Sequence, residues 1–487
     1  MAQDGHTDDL FSDYEIAPEF PDEMFGCDGE PHPQCRELWA ALRAMPARQI
    51  VAMQEQAERS FMRDGITFAV YGDDGAQERI IPIDFLPRIV SARDWRQLET
   101  GLAQRVKALN MFLADVYGAA RILNDGVIPV DMVLGCPQYR VQMRGVELPH
   151  GIHVSVCGTD IIRDGGGFKV LEDNLRSPSG VSYMLANRQA VKTGLRDLFR
   201  RHSVRGIEHY TGMLRQTLAD LSPRGNSDPC MVLLTPGIYN SAYYEHMFLA
   251  REMGIELVQG SDLLVHDGHV FMRTTGRLRQ VDVIYRRIDD DFLDPLVFRP
   301  DSQLGVPGLF HAWRLGNVGI ANAPGGGVAD DKSVYRYVPD MIRYYLAEEP
   351  ILANVETYLC RDPEHLAYVL DNLDTLVVKM VGESGGYGML IGPHASRAER
   401  SAYAERVRED PANFIAQPTL ALSRAPCLAS GRAAPRHVDL RPFILQGRET
   451  RIVPGAFCRV ALTPGSLVVN SSQGGGGKDL WVLDEPE

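Results

Sequence analysis

The chain has 487 residues and a formal net charge of −14, an acidity that argues against a nucleic-acid binder. With 45% hydrophobic and 23% charged residues it has the composition of a globular protein, long enough for two to four domains and a large core. The start of the chain lacks a basic region followed by an apolar core, and no apolar run approaches the roughly 20 residues that span a bilayer, so the reading is a cytoplasmic protein with no membrane partner.

Residues 1–35 hold ten Asp or Glu and no Lys or Arg. They read as a solvated acidic tail. Residues 36–126 are mainly helical: Glu37 to Arg43, Ala47 to Arg63 and Asp94 to Tyr117 carry apolar residues at helical spacing, and Pro82 to Pro87 breaks the pattern. Residues 127–187 turn strand-like. There a hairpin is expected, with strands His153 to Arg163 and Phe168 to Glu172 and a loop at Gly165 to Gly167. Arg188 to Leu221 is helical, and Ser222 to Pro229 is a turn-rich linker.

A new unit starts with a buried strand at Cys230 to Thr235. A helix near Ser241 to Met253 and a strand at Glu256 to Val258 complete a β-α-β alternation, which implies a small parallel sheet. A hairpin around His266 to His269 and a strand at Val281 to Arg286 follow. Gly325 to Gly327 leads into a helix containing Pro339 to Leu346. The last unit has a strand at Leu376 to Val381, a glycine-rich stretch at Gly382 to Gly388, and strand-like runs at Phe414 to Pro418 and His437 to Leu445 with loop between them. The eight cysteines are scattered with no Cys-x-x-Cys pair, which disfavours a zinc site or a disulfide framework.

The chemistry concentrates in three places. Glu172 and Asn174 stand two residues apart at the end of the hairpin, so in a strand they share a face. With the expected loop, Asp160 lies opposite Glu172 on that face, together with Val154, Val156, Ile162, Phe168 and Val170. Two carboxylates and a carboxamide there are hard oxygen ligands suited to Mg²⁺, and the alternative is a salt bridge to Arg163 or Arg176. Lys379 lies inside an apolar strand just before glycines whose N–H groups can cradle phosphate; a tight hairpin turn explains the glycines as well. Arg441 sits in another apolar strand and meets either a carboxylate or phosphate ligand, or Asp439 or Glu449 as a structural partner. Gly-x-Ser-x-Gly and His-Glu-x-x-His are both absent.

Together these pieces resemble the circularly permuted ATP-grasp proteins, relatives of the glutathionylspermidine synthetase type of amide ligase. In an ordinary ATP-grasp protein the ATP lysines precede the Glu-x-Asn metal motif; here Glu172-Asp-Asn174 comes first and Lys379 follows. The resemblance implies an α/β (α+β) permuted ATP-grasp fold. Its parts are an acidic tail (1–35), a helical region with the metal-binding half (36–229), a small Rossmann-like α/β unit (230–330), and the part carrying the ATP lysines and glycine loop (331–487). It implies Asp160, Glu172 and Asn174 as Mg²⁺ ligands, and Lys332, Lys379, Gly382, Ser384, Gly385, Gly386 and Gln417 as ATP-binding residues. Arg176, in the block from Asn174 to Tyr183, and Arg441 are the candidate catalytic arginines. Ser472 to Asp479 with Trp481 matches the family's terminal block. Pro454 to Arg459 departs from the pattern, which has two glycines there, so Arg459 receives no role.

The activity implied is ATP-dependent joining of a small-molecule or peptide carboxylate to an amine through an acyl phosphate, releasing ADP and phosphate. The alternatives are phosphoryl transfer on the same fold and a non-catalytic nucleotide-binding scaffold. The sequence identifies neither the acid nor the amine.

Overall fold

The computed structural model describes residues 9–72, 75–382, 388–470 and 474–484, without the side chains of 69–77. Its centre is an eight-stranded sheet: β1 (Ile83–Val90), β2 (Val156–Asp164), β3 (Gly167–Asn174), β4 (Ala353–Asn354), β5 (Arg424–Ala429), β6 (Arg432–Gln446), β7 (Thr450–Val460) and β8 (Gly476–Val482). The spatial order is β4-β3-β2-β6-β7-β8-β1, with β5 paired to β6. Neighbours are antiparallel except β4–β3 and β8–β1. Residues 281 positions apart in the chain therefore lie on neighbouring strands: Asp160 on β2 and Arg441 on β6 come from opposite halves of the sequence.

Side-chain alternation gives the sheet two apolar faces. Cys157, Ile161, Leu440 and Ile444 pack with the long helix α1 (Ala92–Tyr117). Val156, Phe443, Leu445 and Phe457 pack with α2 (Val181–Gly194) and the helix Tyr210–Ala219. The Ser91 Oγ caps α1 by accepting from the Asp94 N–H at 3.1 Å.

Of the smaller sheets, two are four-stranded. One is parallel, in the order Gly319–Ala321, Val283–Arg286, Met231–Leu234, Glu256–Val258, with α3 (Tyr243–Met253) as the crossover helix. The other is antiparallel, in the order Tyr358–Leu359, Phe414–Pro418, Leu376–Met380, Leu390–Ile391. It encloses its own core of Val369, Val378, Val407 and Ala416. Between them lie α4 (Lys332–Tyr335) and α5 (Val338–Leu346).

Several expectations need correction. From residue 9 onward the acidic segment is docked, not solvated. Leu10, Met24 and Phe25 are buried, and the Ala433 N–H donates to the Leu10 carbonyl at 2.8 Å. Its acidity misled, because Glu23 is itself buried between Arg88 (2.6 Å) and Arg163 (3.3 Å). Pro82 to Pro87 breaks the helical pattern as expected, and it does so as part of a strand. β1 runs through Pro87, tolerated because β1 is an edge strand and its register with β8 slips at that point. The stretch between Pro418 and His437, expected as loop, holds β5 and the start of β6. Residues 127–155, expected as strand-like, instead hold the short helix Val130–Leu134 and single 3₁₀ turns.

Candidate active site

The hairpin reaches the expected pairing by an unexpected route. Asp164 pairs with Gly167, so the turn has two residues rather than three, and Ile161 then pairs with Val170. Leu171 is an extra residue, a β-bulge that restores Asp160 opposite Glu172. This changes which side chains share a face. Phe168 and Val170 join Ile161 in the core, whereas the sequence reading put them beside Glu172. The bulge lets an apolar strand end in carboxylates without carrying them into the core.

Asp160, Glu172, Asn174, Arg176, Lys332, Lys379, Gly382, Gln417 and Arg441 all line one cavity of about 560 Å³. Ser384, Gly385 and Gly386 lie outside the described residues. Lys379 and Gln417 stand on adjacent antiparallel strands, two residues out of register and so on one face. The lysine Nζ donates to the Gln417 Oε1 at 2.8 Å, and Gln417 donates onward to the Thr357 Oγ1 at 3.0 Å. Burial, acting before any neighbouring charge, lowers the Lys379 pKa. Lys332 opens α4 directly after its cap, the Asp331 carboxylate, which accepts from the Ser333 and Val334 N–H groups. Asp330 instead accepts from the Arg176 Nε at 3.0 Å.

Asp160 is in the expected place but already engaged. Arg441 donates to both its oxygens, at 2.5 and 2.8 Å, and Arg459 donates to one at 2.6 Å. Burial alone would raise its pKa, but these two arginines outweigh it and hold the carboxyl well below the usual range. Glu172 differs. It accepts no hydrogen bond from any described residue, and burial, then the facing Asp160 charge, push its carboxyl up. The charges of Lys332, Lys379 and Arg441 offset this in part. Asn174 donates from Nδ2 to the Gly158 carbonyl at 3.1 Å, which commits its amide nitrogen and leaves Oδ1 as the free arm. The residues present thus fit a hard divalent ion flanked by two lysines. Among the described residues, no group of three or more His, Cys, Asp or Glu gathers into a metal cluster, so such a site draws on the carboxamide as well.

Sequence reasoning missed the residues that hold this arrangement. Arg459 was denied a role, yet it joins Asp439 to Asp160. Its signal was Asp439 and Arg459 at directly paired positions on β6 and β7. Buried Arg105 grips Asp173, the residue between Glu172 and Asn174, at 2.7 Å. The Asn322 carboxamide accepts from the Ser155 and Val156 N–H groups and donates to the Val156 and Leu175 carbonyls, fixing the start of β2 against the end of β3. In the terminal block, Asp479 is tied to Arg188 and to the Trp481 Nε1.

One lysine at a helix start, a second on a strand, a Glu-x-Asn pair on another strand and a cleft between sheets define the ATP-grasp class. The chain belongs to the circularly permuted ATP-grasp type 2 family, whose model matches residues 87–461. It is 53% identical over 466 residues to an uncharacterised protein of Synechocystis sp., covering 95% of this chain and 97% of that one. A Frankia casuarinae protein provisionally named glutamate–cysteine ligase 2-2 is 43% identical over 464 residues; these are 95% of this chain but 53% of that protein, so the match spans about half of its length. Among solved structures, a glutathione synthetase-like effector from Globodera pallida, in its apo form, superposes with a TM-score of 0.59. That superposition covers 90% of this chain and 98% of the effector at 12% identity, which shows a shared fold. No helix of the described residues is long and apolar enough to cross a membrane.

Proposed function

We propose that the protein is an ATP-dependent carboxylate–amine ligase that works through an acyl phosphate. The observation that carries this reading is the meeting of Glu172, Asn174, Lys332, Lys379 and Arg441 on one cavity although they come from four separate stretches of chain. Lys332 and Lys379 bind and neutralise the nucleotide phosphates, and Gln417 holds the Lys379 ammonium in place. Glu172 and Asn174 would hold Mg²⁺, with Asp160 as third ligand on releasing one of its arginines. Bound there, the ion would supply charge neutralisation on the phosphate oxygens. Arg441 and Arg176 orient the acid and offset the charge that develops as its carboxylate attacks the γ-phosphate. The amine then displaces phosphate. The 382–388 stretch would exclude water from the acyl phosphate during that interval.

The name of the Frankia relative supports ligation over simple phosphoryl transfer. Hydroxylamine separates the two, because it traps an acyl phosphate as a hydroxamate and leaves a stable phosphorylated product alone. We expect hydroxamate and ADP to form together with a competent acid, and Glu172→Gln to remove both. Loss of a charge-neutralising ligand costs about 3 kcal/mol or more in the transition state. ADP release with a phosphorylated product and no hydroxamate would favour a kinase-like reaction.

A further inference from the structure

We propose that the end of the cavity remote from the lysines is a subsite for the acid substrate, a chamber walled by Phe68, Ile81, Tyr183 and Phe457 that takes an apolar, uncharged side chain. The inference rests on the ligase reading and adds to it the class of acid.

The four walls line the same cavity as the reaction centre. Glu172, Lys332, Lys379 and Gln417 line it too, and they also share a narrow recess with Leu171 and Ile415 to which no wall residue contributes. Tyr183 and Phe457 are each 4% exposed, and their ring centroids lie 6.0 Å apart. The tyrosine hydroxyl donates to the Thr67 carbonyl at 2.8 Å, so the face left to a ligand is apolar. Gly180 brings this wall up to the reaction centre. A Cβ there would stand 2.9 Å from the Phe457 Cδ1, and the residue sits at φ +127°, where only glycine is at ease.

Charge decides what the chamber accepts. Its buried polar side chains include Arg287 and His246, with Ser179, Asn240, Ser241 and Asp289 also on the cavity, and Glu245 is the carboxylate paired to Arg287. Arg287 donates to Glu245 (3.2 Å), the Ser179 Oγ (2.5 Å) and the Pro178 carbonyl (2.8 Å); its Nε, closed off from solvent, takes no partner. Glu245 accepts from the Gly180 and Ser182 N–H groups and from the Ser182 hydroxyl. It also lies in the first turn of α3, where its charge offsets the uncapped helix end at Asn240 to Ala242. The His246 Nδ1 lies 2.8 Å from the Thr235 Oγ1, and burial keeps the ring neutral. Arg287 and Glu245 thus match each other, and a charged side chain packed against these walls would lose its water without gaining a counter-ion from that pair.

The acid, rather than the amine, belongs here because of Arg441. This guanidinium stands between the reaction centre and the chamber, donating to Asp160 on one side and to the Ser179 carbonyl at 3.4 Å on the other. Its side chain is 15% exposed, against 2% for Asp160 and 6% for Arg459, so the cavity meets the cation of this network first. A substrate carboxylate held at Arg441 directs its side chain past Gly180 into the chamber.

The test is calorimetric binding of N-acetyl-L-phenylalanine and of N-acetyl-L-glutamate to the full chain. We expect the phenylalanine derivative to bind at least about tenfold tighter, the scale on which apolar pockets discriminate. Ala242→Phe, which fills the cavity beside the chamber, should abolish the preference. Phe68→Ala, a change in a half-buried residue at the edge of the core, should reduce it and serves if the first variant does not fold. Equal or tighter binding of the glutamate derivative, or a preference that survives in both variants, overturns the chamber. Absence of hydroxamate with every acid would instead overturn the ligase reading, and the binding comparison still tests the chamber independently.

Discussion

At the scale of single residues the decisive fact is that neighbouring carboxylates have unlike surroundings. Asp160 is bridged by Arg441 and Arg459, and Glu172 is not bridged by anything described. The sequence offered both as equivalent ligands, since a strand alternation carries no information about arginines 281 and 299 residues further on. Lys379 gives a prediction at this scale. Lys379→Met keeps the length of the side chain and places an apolar group in a strand whose neighbours Val378 and Ala416 are buried. Folding should survive with a loss below about 1.5 kcal/mol. The affinity for an ATP analogue should fall sharply, as measured by fluorescence titration. Retained affinity combined with a collapsed melting temperature would make the lysine structural.

Among the elements, the segment from residue 9 to Cys35 is the clearest case of tertiary structure overriding composition. The ten acidic residues of 1–35 argued for solvation. The structure instead uses Glu23 as a buried anchor and Leu10 and Phe25 as plugs. Deleting residues 2–30 should therefore lower the melting temperature by several degrees, and added salt should not reproduce or relieve the loss, because buried apolar contacts are not screened. Acid should act on the anchor in a definite direction. Burial would raise the Glu23 pKa, but the charges of Arg88 and Arg163 outweigh it and lower it from the usual value. A depressed carboxylate stabilises the fold fully above its unfolded pKa of about 4.3, and that contribution is lost as pH falls through the folded value. Glu23→Gln should cost about 3–5 kcal/mol at neutral pH by stranding Arg88, and its deficit against the parent should shrink only below about pH 4.3. Melting curves between pH 3 and 8 check this; a deficit that stays constant down to the acid end would mean the ion pair contributes no charge-dependent stability. The β3 bulge belongs at this scale too. Nothing in Val170-Leu-Glu172 announces an extra residue, and only pairing against β2 reveals that Leu171 is the one to spare.

For the whole molecule, the cavity joins separate sheets. Glu172 is on the eight-stranded sheet, and Lys379 is on the antiparallel four-stranded one. A nucleotide that spans them should stabilise both by mass action, about 2.7 kcal/mol at a hundredfold excess over Kd. Thermal unfolding with Mg²⁺ and a non-hydrolysable ATP analogue should therefore shift upward. The shift should vanish in Glu172→Gln and in Lys379→Met alike, although these residues lie on different sheets. A shift that persists in either variant would place the nucleotide elsewhere.

The sequence by itself determined the family and the local strings that mark it. Glu172-Asp-Asn174, Lys379 before its glycines and the reversed order of the two are local strings, and the β-α-β run from Cys230 to Val258 follows from local periodicity. Helices such as Ala47–Arg63 were legible to the residue for the same reason, since a helix makes its contacts within four residues. The tertiary structure alone decided which side chains are paired and which are left open. Whether Arg441 serves Asp439 or Asp160, whether an acidic stretch is solvated or docked, and whether the wall beside Gly180 accepts charge all depend on contacts between residues far apart in the chain. Such contacts leave no periodic trace, because burial and ion pairing are set by the neighbour across the sheet and not by the neighbour along the strand.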